Sequence, residues 1–447
     1  MSKHLKTVFY KVVLISMVVG KLGFTIALAA SGDLDGTFGG DGLVTTNLVP
    51  SNPGRADYAY DLAPQPDGKI VAVGYSFNTS GTSQASDFAI TRYNPNGSLD
   101  TTFSGDGRRL LNLGESGVAR AVAVQPNGKI VVVGEVVGAA GLDVAIVRFN
   151  ANGTLDTTFS GDGKQITSFG GGDNLAHAVA FQSDGKILVA GEGWNGKTVE
   201  FVVYRYLSNG SLDPAFSGDG MVSFGFGAGK DDYAVDLAIQ GDGKIVVAGS
   251  SGTWISQGVP PAYVFVGDFA IARLNRNGTV DTTFSGDGRQ VTDFGSNEVA
   301  DGLAIQPDGK LVLAGTKGTT ETSSAVARYN TDGSLDTSFS GTGKRTFRMI
   351  TGQSSVAHDV IVSAAGKIIV MGATANGSGS GDFAVARLNS NGSLDKTFSA
   401  DGKVTIDFGG SDHGYAILSQ PVNGKYVLAG YTCDPPACAF GLARVLP

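Results

Sequence analysis

The chain has 447 residues, 67 of them glycine, and a formal charge of −8. That length exceeds one ordinary core and calls for a repeat array or a large closed β architecture. The glycine share is roughly twice average usage without a collagen period, so the glycines read as turn residues. The acidic balance, with no Lys/Arg cluster beyond the first residues, speaks against nucleic-acid binding.

Taken in chain order, the first element is an export signal. Lys3, His4, Lys6 and Lys11 form a basic head, an apolar run follows from Val12 to Gly20, and Ala27 and Ala29 fit a small-residue cleavage site. Lys21 splits the apolar run, which argues against a membrane-spanning helix of about 20 apolar residues. Residues 1–30 are therefore expected to be removed, leaving 31–447 as one secreted or periplasmic domain with no membrane contact. Next comes Leu34–Leu48, "LDGTFGGDGLVTTNL", which has the character of an outer strand with no sheet before it.

From there the sequence repeats. "LD..F" occurs seven times, with its aspartate at Asp35, Asp100, Asp156, Asp213, Asp281, Asp336 and Asp395 (Val280 replaces the leucine in the fifth copy). A "QPDGK"-like turn and a "DFAIAR"-like run also recur seven times, the latter placing arginines at Arg92, Arg148, Arg205, Arg273, Arg328, Arg387 and Arg444. Each unit holds four short β-type runs; in unit five they are "VADGLAIQ", "KLVLAG", "SAVARYN" and "KRTFRM". No run carries helical spacing. The "PDG" and "NG" or "DG" pairs between runs are hairpin signals, because Pro sets φ and Gly accepts φ > 0. Seven units of four antiparallel strands predict an all-β, seven-bladed β-propeller; a β-solenoid is the rival.

The ends predict how the ring closes. Arg92 precedes Asp100 by eight residues, an interval kept in the next five units, but Arg444 has no downstream aspartate and Asp35 no upstream arginine. Residues 43–48 are expected to supply the fourth strand of the blade built from 413–447, which removes two exposed sheet edges. The Arg–Asp pairs would then act as structural latches, including Arg92–Asp100 and Asp35–Arg444. Calcium binding by these aspartates is the alternative, although the motif lacks the dense oxygen ligands of a calcium loop. The two cysteines, Cys433 and Cys438, predict a local disulfide in an exported protein.

The motifs "ARYNPNGSLDTTFSGDG" and "AVAVQPNGKIVVVGE" resemble the delta-60 repeat family of bacterial exported proteins, and the strand order resembles the NHL-type blade. The resemblance covers 32–447 and implies propeller blades whose "AVAVQ" strand lines the channel and whose "KVTIDF"-type strand lies outermost. It implies no activity.

Function must then sit where the repeats differ. When the inner strands are aligned on their glutamine, one column reads Tyr60, Arg120, His177, Val235, Asp301, His358 and Tyr415; the next holds Asp61, Asp236 and Asp359 among small residues. This predicts a ring of dissimilar polar groups at the channel mouth, where a ligand site belongs; a merely solvated rim is the plain alternative. Two variable loops are long, Ser76–Ser86 and Ser250–Gly267, and the latter carries Trp254, the Pro260–Pro261 pair and Tyr263; Trp194 lies in blade three. Exposed aromatics there would form a binding face or shield a blade edge.

No nucleophile elbow, phosphate loop or H-E-x-x-H motif is present, and nothing calls for a cofactor or metal. A carboxylate pair for glycoside cleavage would have to come from Asp301 and Asp359. The expectation is a monomeric binding module for an extracellular glycan, peptide or protein; the second reading is a hydrolase or lyase acting on an extracellular polysaccharide.

Overall fold

In the computed structural model, the described residues are 29–447 apart from 53, 79–84, 115, 258–261, 376–380 and 435–436. The signal segment, the Pro260–Pro261 pair and the centre of the Ser76–Ser86 loop lie largely or wholly outside them. The described residues form 28 strands in seven four-stranded antiparallel sheets. Six sheets are sequential. Blade one, for example, runs Arg55–Pro64, Ile70–Asn78, Ser86–Tyr93 and Arg108–Leu111, in that spatial order.

Alternation explains the strands. In the first strand of blade two, Gly117–Val124, buried and half-buried positions alternate as far as Ala121, after which Val122 is also buried, whereas the second strand, Ile130–Val137, is buried on both faces except at its last residue. The second and third strands are thus sandwiched between neighbouring blades, and Val, Ile and Ala fill both sides. Seven apolar clusters follow, each drawing on residues of adjacent blades. The first strands of consecutive blades pack side by side around an axis, and the first strand of blade seven meets that of blade one. The fold is a closed seven-bladed β-propeller.

Closure follows the expected route. Leu43–Thr46 pairs antiparallel with the third strand of blade seven, Leu43 opposite Ala443 and Thr46 opposite Phe440; it is shorter than the 43–48 span read from sequence. Arg444 Nε donates to Asp35 Oδ2 at 2.6 Å, Nη2 donates to Thr37 Oγ1 at 2.8 Å, and Nη1 donates to the Pro95 carbonyl of blade one. Arg148 repeats the pattern with Asp156 at 2.6 Å, Thr158 at 3.2 Å and the Ser208 carbonyl of blade three at 2.6 Å. Each arginine therefore ties a strand to the turn of its own repeat and also reaches into the next blade. A lysine from the "PDGK" turn joins each aspartate, such as Lys425 Nζ on Asp35 at 2.6 Å, and the phenylalanine of the motif lies under the guanidinium, 4.8 Å away for Phe38.

These aspartates are spoken for. Burial would raise their pKa, but the lysine, the hydroxyl and amide two residues on, and the arginine outweigh it; Asp100 is held down at about 2. Both oxygens of Asp100 already have partners, which gives the calcium alternative no open ligand there.

Cys433 and Cys438 form a disulfide across paired positions of blade seven's second and third strands. The long segment of blade four is a strand extension, not a loop. Ile245–Gln257 pairs with Ala262–Leu274 out to Gln257 opposite Ala262, so Trp254 and Tyr263 are strand residues. Trp194 likewise ends the strand Ile187–Trp194. The continued β alternation through "SGTWISQ" and "AYVFVG" carries the ladder past the length of the other blades.

Candidate functional site: the channel mouth

Each first strand carries a β-bulge. The ladder skips one residue between Ala59 and Asp61, and between the equivalent positions of all seven blades. The skipped residues are Tyr60, Arg120, His177, Val235, Asp301, His358 and Tyr415. A bulge bends its strand and re-aims a side chain, and all seven of these side chains line one cavity on the axis, about 180 Å³ in volume. The bulge also explains a glycine column. A Cβ on Gly74 would stand 1.8 Å from the Tyr58 carbonyl oxygen, and Gly134 and Gly430 meet the same obstacle at 1.9 Å.

A second tier surrounds the first. The residue just after that glycine on the second strand lies opposite the residue two before the bulge, as Tyr75 lies opposite Tyr58 and Tyr431 opposite His413. Tyr58 stacks on Tyr75 with centroids 4.9 Å apart and meets Tyr431 edge-on at 4.8 Å. Tyr60 meets Tyr415 edge-on at 4.9 Å. Blades seven and one therefore give the mouth an aromatic wall.

Blades two and three give it ion pairs. Glu135 accepts two hydrogen bonds from Arg120, at 3.0 Å from Nε and 2.7 Å from Nη2, while the guanidinium lies 4.9 Å from the Tyr60 centroid. His177 Nε2 lies 2.8 Å from Glu192 Oε2. Burial disfavours the imidazolium, but the Glu192 carboxylate outweighs it and the His177 pKa lies above its ordinary value.

Blades five to seven bring Asp301, His358 and His413 together. His358 Nε2 is 2.8 Å from His413 Nε2, and His358 Nδ1 is 3.8 Å from Asp301 Oδ1. Burial, then the charge of His358, pushes His413 down to about 3, so it is neutral at physiological pH. His177 and His358 line one cavity from different blades but pair with different partners.

The column after the bulge does structural work. Asp61 Oδ2 accepts the Val122 amide of blade two at 2.8 Å, Asp236 that of Leu303 at 2.7 Å, and Asp359 that of Ile417 at 2.8 Å. Burial raises all three, Asp61 to about 7, Asp359 to about 6 and Asp236 well above its ordinary value; the charge of Asp359 adds to it at Asp61, and those of Asp359 and Asp61 at Asp236. These carboxylates stitch inner strands together and place acid in the cavity wall.

Trp254, 49 % exposed, donates its Nε1–H to Tyr233 Oη at 2.8 Å and packs on Phe265, while Tyr263 is 62 % exposed beyond it. Tyr233 occupies in blade four the position that Tyr58 holds in blade one, so this platform adjoins the second tier. Trp194 is 36 % exposed and packs against Gly172, apart from the Trp254 cluster.

Among the described residues, two acid groups at blade junctions have oxygens within 4.8 Å of one another: Asp268, Asp293 and Glu298, and Asp382, Asp407 and Asp412. Their buried members cap connector amides: Glu298 accepts Phe294 N–H at 3.1 Å and Asp412 accepts Phe408 N–H at 2.6 Å. Asp57 and Asp232 make the same cap without such a group.

Sequence reasoning missed Tyr58, Tyr75, Glu135, Glu192, His413 and Tyr431. For Tyr75, Glu135, Glu192 and Tyr431 the signal available was the variable residue after the second-strand glycine: "GYS", "GEV", "GEG", "GSS", "GTK", "GAT", "GYT".

The family model described as "Domain of unknown function (DUF5122) beta-propeller" matches residues 65–103, 125–159, 182–216, 263–284, 306–339 and 366–398. Each match ends at or near the motif phenylalanine. The seventh such segment is divided between the chain's two ends, at Phe38 and Arg444. No curated protein matches the chain in sequence. Solved structures similar to it include a protein of unknown function from Dyadobacter fermentans, 12% identical over 91% of this chain and 99% of that one, with TM-score 0.45. Another is the polysaccharide lyase Uly1, 12% identical over 90% and 91%, TM-score 0.48. A third is an α-L-arabinofuranosidase of Fusarium graminearum, 10% identical over 90% and 97%, TM-score 0.47. The repeats, the blade topology and the family match together place the chain among the β-propeller repeat proteins.

Proposed function

We propose that the protein is an exported binding module that seats a unit of a glycan in the channel mouth. The observation that carries this reading is the interleaving, around one concavity of about 180 Å³, of tyrosine rings with imidazoles, carboxylates and a guanidinium. Sugars present C–H faces to aromatic rings and hydroxyls to such polar groups. A cavity smaller than the usual small-molecule site fits one residue of a chain better than a large cofactor. The Cys433–Cys438 disulfide supports an oxidising compartment.

The test is an array of glycans and peptides probed with wild type, Tyr415→Ala and Trp254→Ala. Tyr415→Ala is expected to weaken glycan binding roughly tenfold, the equivalent of about 1.4 kcal/mol. Glycan signals unchanged by Tyr415→Ala but lost with Trp254→Ala would move the site to the blade-four platform. Peptide signals alone would refute the reading.

A second reading, catalysis on an extracellular polysaccharide, rests on His358 and Asp301 in the wall of this cavity, with His358 Nδ1 3.8 Å from Asp301 Oδ1. An imidazole beside a carboxylate in a cavity is a general acid–base arrangement. Incubation of the glycans that bind, followed by product analysis, separates the two readings.

A further inference from the structure

The mouth is not electrically balanced. Its one arginine is held by Glu135 at 2.7 Å, and His177 by Glu192 at 2.8 Å. What remains is acid. Asp301 has only His358, at 3.8 Å, among the described residues; Asp61, Asp236 and Asp359 have no cationic partner there and are held by two backbone amides each. No lysine lines the cavity. The aromatic wall has the same preference, since a tyrosine face is the negative end of the ring quadrupole and attracts a cation within about 6 Å of its centroid. The site already holds one cation this way, in Arg120 over Tyr60.

We infer that the glycan unit seated in the mouth carries a positive charge, and is an amino sugar with its amine free. This rests on the glycan reading above and narrows it. An ammonium brings three donors and no acceptor, which matches a wall that offers the loosely held Asp301 carboxylate and tyrosine rings. A uronic acid would set its carboxylate against those acids, and its natural counter-ion, Arg120, is already engaged on two sides by Glu135. An N-acetylated sugar would bring no charge to the acidic surplus.

The buried carboxylates add a second readout. Asp61 and Asp359 titrate at about 7 and about 6. The titratable and charged groups that share the cavity with them are Tyr60, Arg120, His177, Asp236, Asp301, His358 and Tyr415. A cation arriving near such protonated carboxyls favours their charged form and expels protons, whereas an anion favours the protonated form.

Titration calorimetry at pH 5.5, where the sugar amines are already charged, tests this with four oligosaccharides of one length: a β-1,4-linked glucosamine oligomer, its N-acetylated form, the glucose oligomer and a uronate oligomer. The amine oligomer is expected to bind at least roughly tenfold more tightly than the others. Its binding should weaken with salt and release protons, seen as a dependence of the heat on buffer ionisation enthalpy. Asp301→Asn, which removes no backbone contact, should lower affinity for the amine oligomer severalfold while leaving the melting temperature in place. Equal or tighter binding of the N-acetylated, neutral or uronate oligomer overturns the inference and leaves the glycan reading standing. Failure of all four to bind overturns the inference and removes the support for the glycan reading as well.

Discussion

Arg444→Ala tests how the ring is held shut. Arg444 is 3 % exposed, and its guanidinium bonds Asp35, Thr37 and the Pro95 carbonyl while lying over Phe38. Removing one partner of a buried ion pair costs roughly 3–5 kcal/mol, because the other charge is left behind. Here Asp35 keeps Lys425 at 2.6 Å, so the low end applies, about 3 kcal/mol. Unfolding entropy of roughly 2 cal/mol/K per residue then gives a fall in melting temperature of roughly 3–4 °C. Arg148→Ala deletes the same set of contacts inside the ring, where the chain is continuous on both sides. The two variants should therefore lose similar stability but differ in where they open. Hydrogen exchange should accelerate at Leu43–Thr46 and along Ala437–Val445 only in Arg444→Ala. Unchanged protection of Leu43–Thr46 in that variant, with stability within about 0.5 kcal/mol of wild type, would refute the latch argument.

Two further outcomes follow from the same structure. The latch aspartates have depressed pKa values, so their stabilisation is present above about pH 4 and is lost as pH falls toward about 2. Asp61 and Asp359 are raised, so their stabilisation is present below about pH 4 and lost as pH rises through about 6 to 7, and Asp236, also raised, acts in the same direction; His413, lowered to about 3, works the other way but is one group against three. Melting temperature should accordingly decline from pH 4.5 to 7.5, and a rise over that range in a thermal scan contradicts the assignment. Gly134→Ala puts a Cβ 1.9 Å from the Val118 carbonyl oxygen and should abolish folding or cost several kcal/mol, whereas Gly161→Ala, at φ +87° with open space around it, should cost only about 1–2 kcal/mol. Equal denaturation midpoints for the two would show that the bulge does not dictate the glycine.

Much of the fold was legible because it is written seven times. The eight-residue Arg–Asp interval, broken only at Asp35 and Arg444, located the seam before any coordinate was needed. The bulge column was legible for a related reason: where neighbours are constrained by packing, the one position that varies in chemistry stands out. The second tier was not, because a residue's place opposite Tyr58 or His413 depends on strand register, and the bulge shifts that register by one. The reading of Ser250–Gly267 as a loop failed because glycines and prolines are turn signals in isolation, whereas here Gly252 and Gly267 face each other within a ladder. The role of Asp61, Asp236 and Asp359 as clasps on the next blade's amides is a contact between chain segments about sixty residues apart, which no local pattern announces.

The central claim is that the bulge-directed ring is where ligand sits. A crystal structure of the protein soaked with the glycan that binds best on the array addresses it most directly. Density for one sugar unit on the axis, in contact with Tyr60, Tyr415 and His358, is the predicted result; an empty mouth with sugar ordered on the Trp254–Tyr263 platform or on the outer strands would contradict it.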